Sequence, residues 1–460
     1  MRNEFKNKKI LIMGLGLQNG GMAVAKFLAK QRAKITITDL RTKKELEPSL
    51  KKLKNLPIKY YLGKHPKNIF RENEIVVASP AISLNSPYLK IAQKHGTKIQ
   101  SEIGIFINLT SPKTNKIIAV TGAKGKTTTV SLIARLLKTA NKKFILGGNL
   151  GKSLLSDLKK IDSRTYVLLE LSSFQLELLK NNKNFKPFIA VLTNIYEDHL
   201  DRYPNLRHYI QAKKIIFQNQ TKKDFAVINE SNFKSLEVAK KIKARRIFFN
   251  LKKERKILKS LNIPITLRGD HSLENILAVI KAAKILKIPK SIIKKTIKNF
   301  PGVEHRIEFV REINGVKFFN DSASTTPVST IAALNSFQQP IILIAGGASK
   351  NLNFKKLGQK IAQKVKFLIT IGQTGSLIAQ AASRTKKNIN IEKTATLEKA
   401  VFIAQNKAKT DEIVLFSPAS ASLDMFLNSR IRGEKFKKLV NKLSPTGRNR
   451  LAKARPNFTN

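Results

Sequence analysis

Cysteine is absent from this chain of 460 residues. Disulfides, zinc–thiolate sites, iron–sulfur clusters and cysteine nucleophiles are therefore excluded. A protein that needs no disulfides fits the cytoplasm, which is the expected location. Long apolar runs are missing as well. No uncharged apolar stretch reaches the ~18 residues of a membrane span, so membrane insertion is not expected. The N-terminus has basic residues and an apolar run from Ile10 to Leu17, as a secretion signal would. Gln18, Asn19, Gly20 and Gly21 break that run, and the pattern continues as a helix into a strand ending at Asp39. A signal peptide is not expected.

Acidic residues are also scarce. There are 30 Asp and Glu against 87 Lys and Arg, a net charge of +57. Such a balance invites a nucleic-acid reading. The basic residues, however, are spread along the whole chain without a long block. Aromatic residues are 7% and Trp is absent. The charge reads as a compositional bias toward Lys, Ile and Asn, with no specific nucleic-acid partner expected.

What is present describes a globular protein. Hydrophobic residues make up 42% and charged residues 25%, and the length suits two or three domains. Short apolar strands alternate with amphipathic helices, the signature of α/β folds with parallel sheets. Strands are expected at Lys9–Met13, Ile35–Thr38, Glu74–Ser79, Lys116–Val120, Tyr166–Leu171, Phe188–Thr193 and Phe225–Asn229. Others are expected near Val316–Asn320, Ile341–Ala345, Phe367–Ile371 and Glu412–Ser417, and a helix over Met22–Gln31. The polar stretch Leu109–Asn115 reads as a linker, and Pro301-Gly302 as further punctuation. Phe436, Leu439, Val440 and Leu443 form the apolar stripe of a last helix. Beyond it, the basic tail 444–460 lacks an apolar period and is expected to be disordered.

The sharpest signal lies at residues 116–137. An apolar strand runs into Gly122-Ala123-Lys124-Gly125-Lys126-Thr127-Thr128, and a helix follows with Val130, Ile133, Ala134 and Leu137 on one face. The glycines let backbone N–H groups turn toward a phosphate chain, and the helix N-terminus adds its positive dipole end. Lys126 can reach outer phosphates, and the Thr127 hydroxyl suits Mg²⁺. The spacing is GxxGK(S/T), two residues tighter than the common loop. Glu170 ends an apolar strand where open α/β sheets bind ligands, and its oxygens suit a hard cation. His199, flanked by Asp198 and Asp201, follows another strand end. Upstream, IMGLGLQNGG (residues 12–21) is similar to a dinucleotide fingerprint, with Asp39 at the distance expected for a ribose or base contact. A hydride-transfer enzyme has no use for an ATP–Mg²⁺ site, so the downstream loop argues against an oxidoreductase.

Taken in order, GLGLQNGG, VASPAI, TGAKGKTTT, GGNLG, LELSSFQLE, TNIYEDHLDRYP, QAKKIIF, PGVEHRIE, NDSAST, AGGASK and SPASASLDMF resemble the Mur ligases. These are the ATP-dependent enzymes that build the peptide stem of peptidoglycan. The match extends to about Leu443 and is strongest to the branch that adds D-glutamate. The resemblance implies a three-domain α/β ligase: a Rossmann-like domain (1–110), a central P-loop ATPase-type parallel sheet (111–302) and a Rossmann-like domain (303–443). It implies that Gly14, Leu15, Gly16, Asp39, Ser79 and Asn149 contact the UDP substrate, and that residues 122–128 hold ATP. Thr127 and Glu170 would bind one Mg²⁺ and His199 a second, with Lys213 matching a carbamylated lysine. Asn275 matches an adenine contact, Arg306 a phosphate contact and Asp321 a ribose contact, with His305 beside them. Thr325, Lys350 and Ser422 would bind the incoming amino acid. The chain departs from the family pattern at Ser272, Ala323, Ala348 and Ser429.

The implied reaction joins D-glutamate to UDP-N-acetylmuramoyl-L-alanine through an acyl phosphate, with a monomer as the expected state. Lys126, His199 and Lys213 are the expected catalytic set. Three alternatives stay open on sequence: another ligase of this superfamily, including a folylpolyglutamate-type enzyme; a nicotinamide oxidoreductase; and a nucleic-acid-binding ATPase.

Overall fold

The computed structural model describes residues 4–17, 19–199, 202–261, 263–264, 267, 269–349, 352–385 and 388–445. The predicted amino-acid ligand Lys350, the flanking Asp201 and nearly all of the predicted disordered tail (446–460) lie outside the described residues. The chain divides into two compact units, Met1–Ile263 with Asp270–Phe300, and Pro264–Gly269 with Pro301–Asn460.

The first unit holds two parallel sheets. Strands β1 (Lys9–Met13), β2 (Lys34–Asp39), β3 (Ile58–Leu62), β4 (Ile75–Ala78) and β5 (Lys98–Gln100) lie in the order β3-β2-β1-β4-β5. Strands β6 (Ile117–Thr121), β7 (Phe144–Gly148), β8 (Tyr166–Glu170), β9 (Ile189–Leu192), β10 (Phe225–Asn229) and β11 (Arg245–Phe249) lie in the order β11-β10-β9-β6-β8-β7. Alternate residues of β1 face two different clusters. Ile10 and Ile12 join an apolar core that continues to Ile117, Ala119, Val167 and Leu169 of the second sheet, whereas Leu11 and Met13 pack with Phe70, Val76 and Leu89. Every residue of β6 is buried, because helices cover both faces of this strand.

In the second unit, β12 (Glu308–Ile313), β13 (Val316–Asn320), β14 (Ile341–Gly346), β15 (Val365–Ile371), β16 (Asn390–Lys393) and β17 (Ile413–Phe416) form one sheet in the order β12-β13-β17-β14-β15-β16. The pairing is parallel except for the antiparallel β12–β13 hairpin at one edge. Its turn is Asn314-Gly315, both at positive φ (50° and 75°), the conformation that matches strand twist. Ile342, Ile344, Val414 and Phe416 face one core, and Leu343, Ala345, Ile413 and Leu415 the other.

Each strand expected from the sequence is present, with ends shifted by two residues at most. The strands that the sequence did not announce are β3, β5, β7, β11, β12 and β16, and these are the edges of the three sheets. The first helix spans Asn19–Lys30, starting three residues earlier than expected. No helix among the described residues is long and apolar enough to cross a membrane.

Candidate active site

The chemistry gathers at the C-terminal ends of β6, β8 and β9. Because these strands are parallel and in register, with Val120 beside Glu170 and Thr121 beside Leu192, their loops emerge on one edge of the sheet. The loop after β6 runs from Gly122 (φ 154°) to Gly125 (φ 82°), and Gly125 caps the helix Lys126–Thr139. Both glycines are required. A Cβ at Gly122 would strike the Thr193 hydroxyl, and one at Gly125 would strike the Asn275 side-chain oxygen.

The strand end of β9 moulds this loop. Ala123 N–H donates to the Asn194 carbonyl and Lys124 N–H to Asn194 Oδ1, each at 2.9 Å. Thr193 Oγ1 donates to the Lys124 carbonyl at 2.6 Å, and Asn194 Nδ2 donates to the same oxygen at 3.1 Å. Thr193 and Asn194 were not singled out by the sequence reading, although they open the TNIYEDHLDRYP segment. Lys126 Nζ donates to the Gly122 and Ala123 carbonyls at 2.9 and 3.0 Å. Thr127 and Thr128 stand half-buried in the first helical turn. Asn275 is buried against the loop, its Oδ1 accepting from Thr129 Oγ1 at 3.3 Å.

Glu170 is buried beside the loop. Its Oε1 accepts from Asn149 Nδ2 at 3.0 Å, and its Oε2 has no protein partner. A buried carboxylate oxygen left unpaired costs free energy unless a cation or water takes it. Asn149, expected at the UDP substrate, is thus held by Glu170: its backbone N–H also donates to the Glu170 carbonyl at 2.8 Å.

Lys213 lies on the helix Leu206–Lys214 and is 1% exposed. Its Nζ donates to the Gly122 carbonyl at 2.9 Å, the same oxygen that Lys126 reaches, and lies 4.5 Å from the centre of the Tyr209 ring. Burial above all, and then the Lys126 ammonium, hold its pKa well below the usual lysine value, while Asp198 pulls the other way. His199 sits at φ 57°, exposed, with Nε2 3.8 Å from Asp198 Oδ2 and its ring 4.8 Å from that of Phe174. Among the described residues, no three His, Cys, Asp or Glu gather into a metal cluster. A divalent cation here would draw on the Thr127 hydroxyl and the Glu170 carboxylate, and these donors fit Mg²⁺ in being oxygens.

A cavity of about 370 Å³ lies at the C-terminal ends of β1, β2 and β4 and is lined by Gly14, Gly16, Asp39, Arg41, His65, Ser79 and Ile82 among others. Asp39 accepts from the Gly16 and Arg41 N–H groups at 3.0 and 2.9 Å. Gly14 has φ 90°, and a Cβ there would come within 2.9 Å of Ser79 Cβ. Four of the six residues expected at the UDP substrate therefore meet here. Leu15 is in the core instead, at 1% exposure.

In the second unit, Asp321 ends the strand-to-loop turn after β13. Its carboxylate accepts from Ser417 Oγ at 2.7 Å and Ile307 N–H at 3.3 Å. Burial pushes its pKa up to about 6. Arg306 is exposed and Thr325 half-buried, and Ser422 is buried. His305 is buried at φ 63°, with Nδ1 accepting a hydrogen bond from Asn320 Nδ2 at 2.9 Å. Arg432, which the sequence reading did not select, is fully buried. It donates to Ser322 Oγ and to the carbonyls of Ser322, Ser420 and Ala421 at 2.9–3.1 Å.

Family models match along the chain in the same sequence: the Mur ligase MurD-like N-terminal domain over residues 8–101, the Mur ligase middle domain over 120–283 and the Mur ligase glutamate ligase domain over 305–420. The chain belongs to the Mur ligases. Among relatives, it is 38% identical to the UDP-N-acetylmuramoylalanine–D-glutamate ligase of Acetivibrio thermocellus, over 96% of this chain and 98% of that protein. It is also 38% identical to the ligase of the same name from Roseiflexus, over 95% of this chain and 99% of that one. Solved Mur ligases share the fold at low identity. The UDP-N-acetylmuramate–alanine ligase of Thermotoga maritima gives a TM-score of 0.62 at 18% identity, covering 95% of this chain and 99% of that one.

Proposed function

We propose that this Mur ligase joins D-glutamate to UDP-N-acetylmuramoyl-L-alanine at the expense of ATP, in peptidoglycan precursor synthesis. The names of its relatives support the substrate pair. One observation supports the ATP chemistry above others: the loop Gly122–Thr127 stands beside the buried, half-satisfied carboxylate of Glu170 and the buried amine of Lys213.

In this reading the substrate carboxylate attacks the γ-phosphorus of ATP, giving an acyl phosphate and ADP. The D-glutamate amine then attacks the acyl carbon, and phosphate leaves as the C–N bond forms. The backbone of residues 122–128 and the helix N-terminus cradle the phosphates, and Lys126 moves from its own loop carbonyls to the phosphate oxygens. Thr127 and Glu170 would hold one Mg²⁺, and His199 with carbamylated Lys213 a second. Magnesium bound there supplies neutralisation of the repelling anions. Positioning two reactants can lower the barrier by roughly 7–11 kcal/mol. Gly14, Leu15, Gly16, Asp39, Ser79 and Asn149 are the proposed UDP-substrate residues, although Leu15 in the core and Asn149 beside Glu170 would act at a distance from the cavity that Gly14 and Asp39 line. Asn275, Arg306 and Asp321 are proposed for the nucleoside and phosphate of ATP, and Thr325, Lys350 and Ser422 for glutamate. The proposed division is 1–110 for the UDP substrate, 111–302 for ATP and 303–443 for the amino acid, with a monomeric, cytoplasmic enzyme.

The test is ADP release with UDP-N-acetylmuramoyl-L-alanine and a panel of amino acids of both configurations. D-glutamate alone should support turnover, and Lys126→Ala should abolish it in a folded protein. Preference for another amino acid, or release independent of the UDP substrate, would overturn the assignment.

A further inference from the structure

We propose that Arg202 is a positioning residue that couples the UDP-substrate cavity to the phosphate-transfer site, an inference that rests on the function proposed above. Arg202 lies three residues past His199, and its backbone N–H donates to the His199 carbonyl at 3.0 Å. Its side chain is only 14% exposed. Nη1 donates to the carbonyls of Pro80 and Ala81 at 3.0 and 2.9 Å, and Nη2 to that of Ile82 at 3.0 Å. Nη2 also lies 3.6 Å from Glu177 Oε2. The guanidinium stacks 4.1 Å over the ring of Phe174, and that ring packs against His199.

The three carbonyls belong to the turn that follows β4. This turn is the rim of the cavity at the C-terminal ends of β1, β2 and β4: Ser79, Ala81 and Ile82 line it with Gly14 and Asp39. Ile82 N–H donates to the Ser79 carbonyl at 2.9 Å, so the turn moves as one piece. A planar fork of donors suits three successive carbonyls on one side and a carboxylate on the other, and its face suits an aromatic ring. An ammonium is a point charge and cannot hold all of these at once. A ligand that presses on residues 79–82 therefore presses on the guanidinium, and through Phe174 and the His199 carbonyl on the His199 segment. Occupation of one cavity biases the geometry of the other, which is the physical content of coupling.

The experiment uses the full chain and the variants Arg202→Lys, Arg202→Met and Phe174→Leu. Binding of UDP-N-acetylmuramoyl-L-alanine and of a non-hydrolysable ATP analogue with Mg²⁺ is measured by calorimetry, each ligand alone and in the presence of the other. In the wild type each ligand should tighten the other by the same factor, within about 5–150-fold. In both Arg202 variants that factor should fall toward one. The analogue alone should bind as to the wild type while the UDP substrate alone binds more weakly, and with coupling gone KM for each substrate at saturating levels of the other should rise. A general loss of packing would weaken both ligands together and lower the thermal midpoint without this split. Phe174→Leu keeps the carbonyl contacts and removes the stack. It should lose coupling while retaining affinity for the UDP substrate alone, and it decides the question if the Arg202 variants do not fold. Folded variants with wild-type coupling would overturn the proposal, as would a wild type in which the two ligands bind independently. Failure of the functional assignment would show separately, as a wild type that releases no ADP with this UDP substrate.

Discussion

If Lys213 carries a carbamate, its charge changes by two, and the surroundings of the residue say how much that is worth. Lys126 and Lys213 each donate to the same Gly122 oxygen at 2.9 Å, so their nitrogens are no more than about 6 Å apart. At an effective dielectric constant of about 20, two ammonium ions at that distance repel by about 3 kcal/mol. Burial adds to the cost of the charged amine. Both effects favour the neutral amine, whose lone pair attacks CO₂. The N–C bond forms, one proton leaves to solvent, and a carbamate anion results. Lys126 then attracts the carbamate by about 3 kcal/mol, where it would repel an ammonium by as much, before any metal is counted.

The expected outcome is bicarbonate dependence. Activity should fall in buffer stripped of CO₂ and return when bicarbonate is added, and protein given ¹³C-bicarbonate should show a carbamate carbon resonance. That resonance should be absent from Lys213→Ala. Loss of turnover in this variant should exceed the about 10–100-fold typical of removing an outer-shell partner of a metal, and short carboxylates such as acetate should restore part of it. A folded Lys213→Ala with wild-type turnover would refute the reasoning, as would a wild type indifferent to CO₂ and free of the ¹³C signal.

Other perturbations read other parts of the molecule. Gly125→Ala forces a side chain into a left-handed conformation at φ 82° and against Asn275; it should lose about 1–2 kcal/mol of stability from the backbone alone, and bind ATP more weakly by calorimetry. Asp39→Ala removes the acceptor of the Gly16 and Arg41 N–H groups, so UDP-substrate affinity should fall by about 10–100-fold while ATP affinity holds. Asp321 has a pKa raised from 3.8 to about 6, so the stability it contributes is full below pH 3.8 and lost as pH rises through 6. Asp321→Asn should therefore gain on the wild type by about 3 kcal/mol between acid and neutral pH in denaturant titrations, and a difference constant with pH would refute this. Arg432→Met strands four buried acceptors and should cost about 3–5 kcal/mol in the same titrations.

What could be read from the sequence follows from what burial does to a strand. β6, IIAVT, is buried at every position and stands out as an apolar run. At a sheet edge the requirement relaxes. β16, NIEK, has no fully buried residue, and β11, RRIFF, begins with two exposed arginines. Such edges are kept polar because an apolar edge would recruit another chain, and so they look like loops. One edge did carry a signal: Asn314-Gly315 before VKFF marks a hairpin, and β12 could have been found from it.

The site divides along a related line. Lys126, Thr127 and Glu170 were legible because a charged or hydroxyl group beside a strand end is costly to pack and useful to a phosphate or a metal. Lys213 was not legible from its own neighbourhood, since one lysine in a lysine-rich chain carries no signal; only the family resemblance picked it out, and its burial is what gives it chemical sense. Thr193, Asn194 and Arg202 act through backbone carbonyls that lie distant in sequence, and Arg202 reaches back 120 residues and more to its partners. A carbonyl is present at every position, so the sequence cannot mark which ones will be used. Residues that hold a site together by gripping backbone are therefore the class that a motif search passes over, and the cost of replacing them measures how far the site depends on the fold around it.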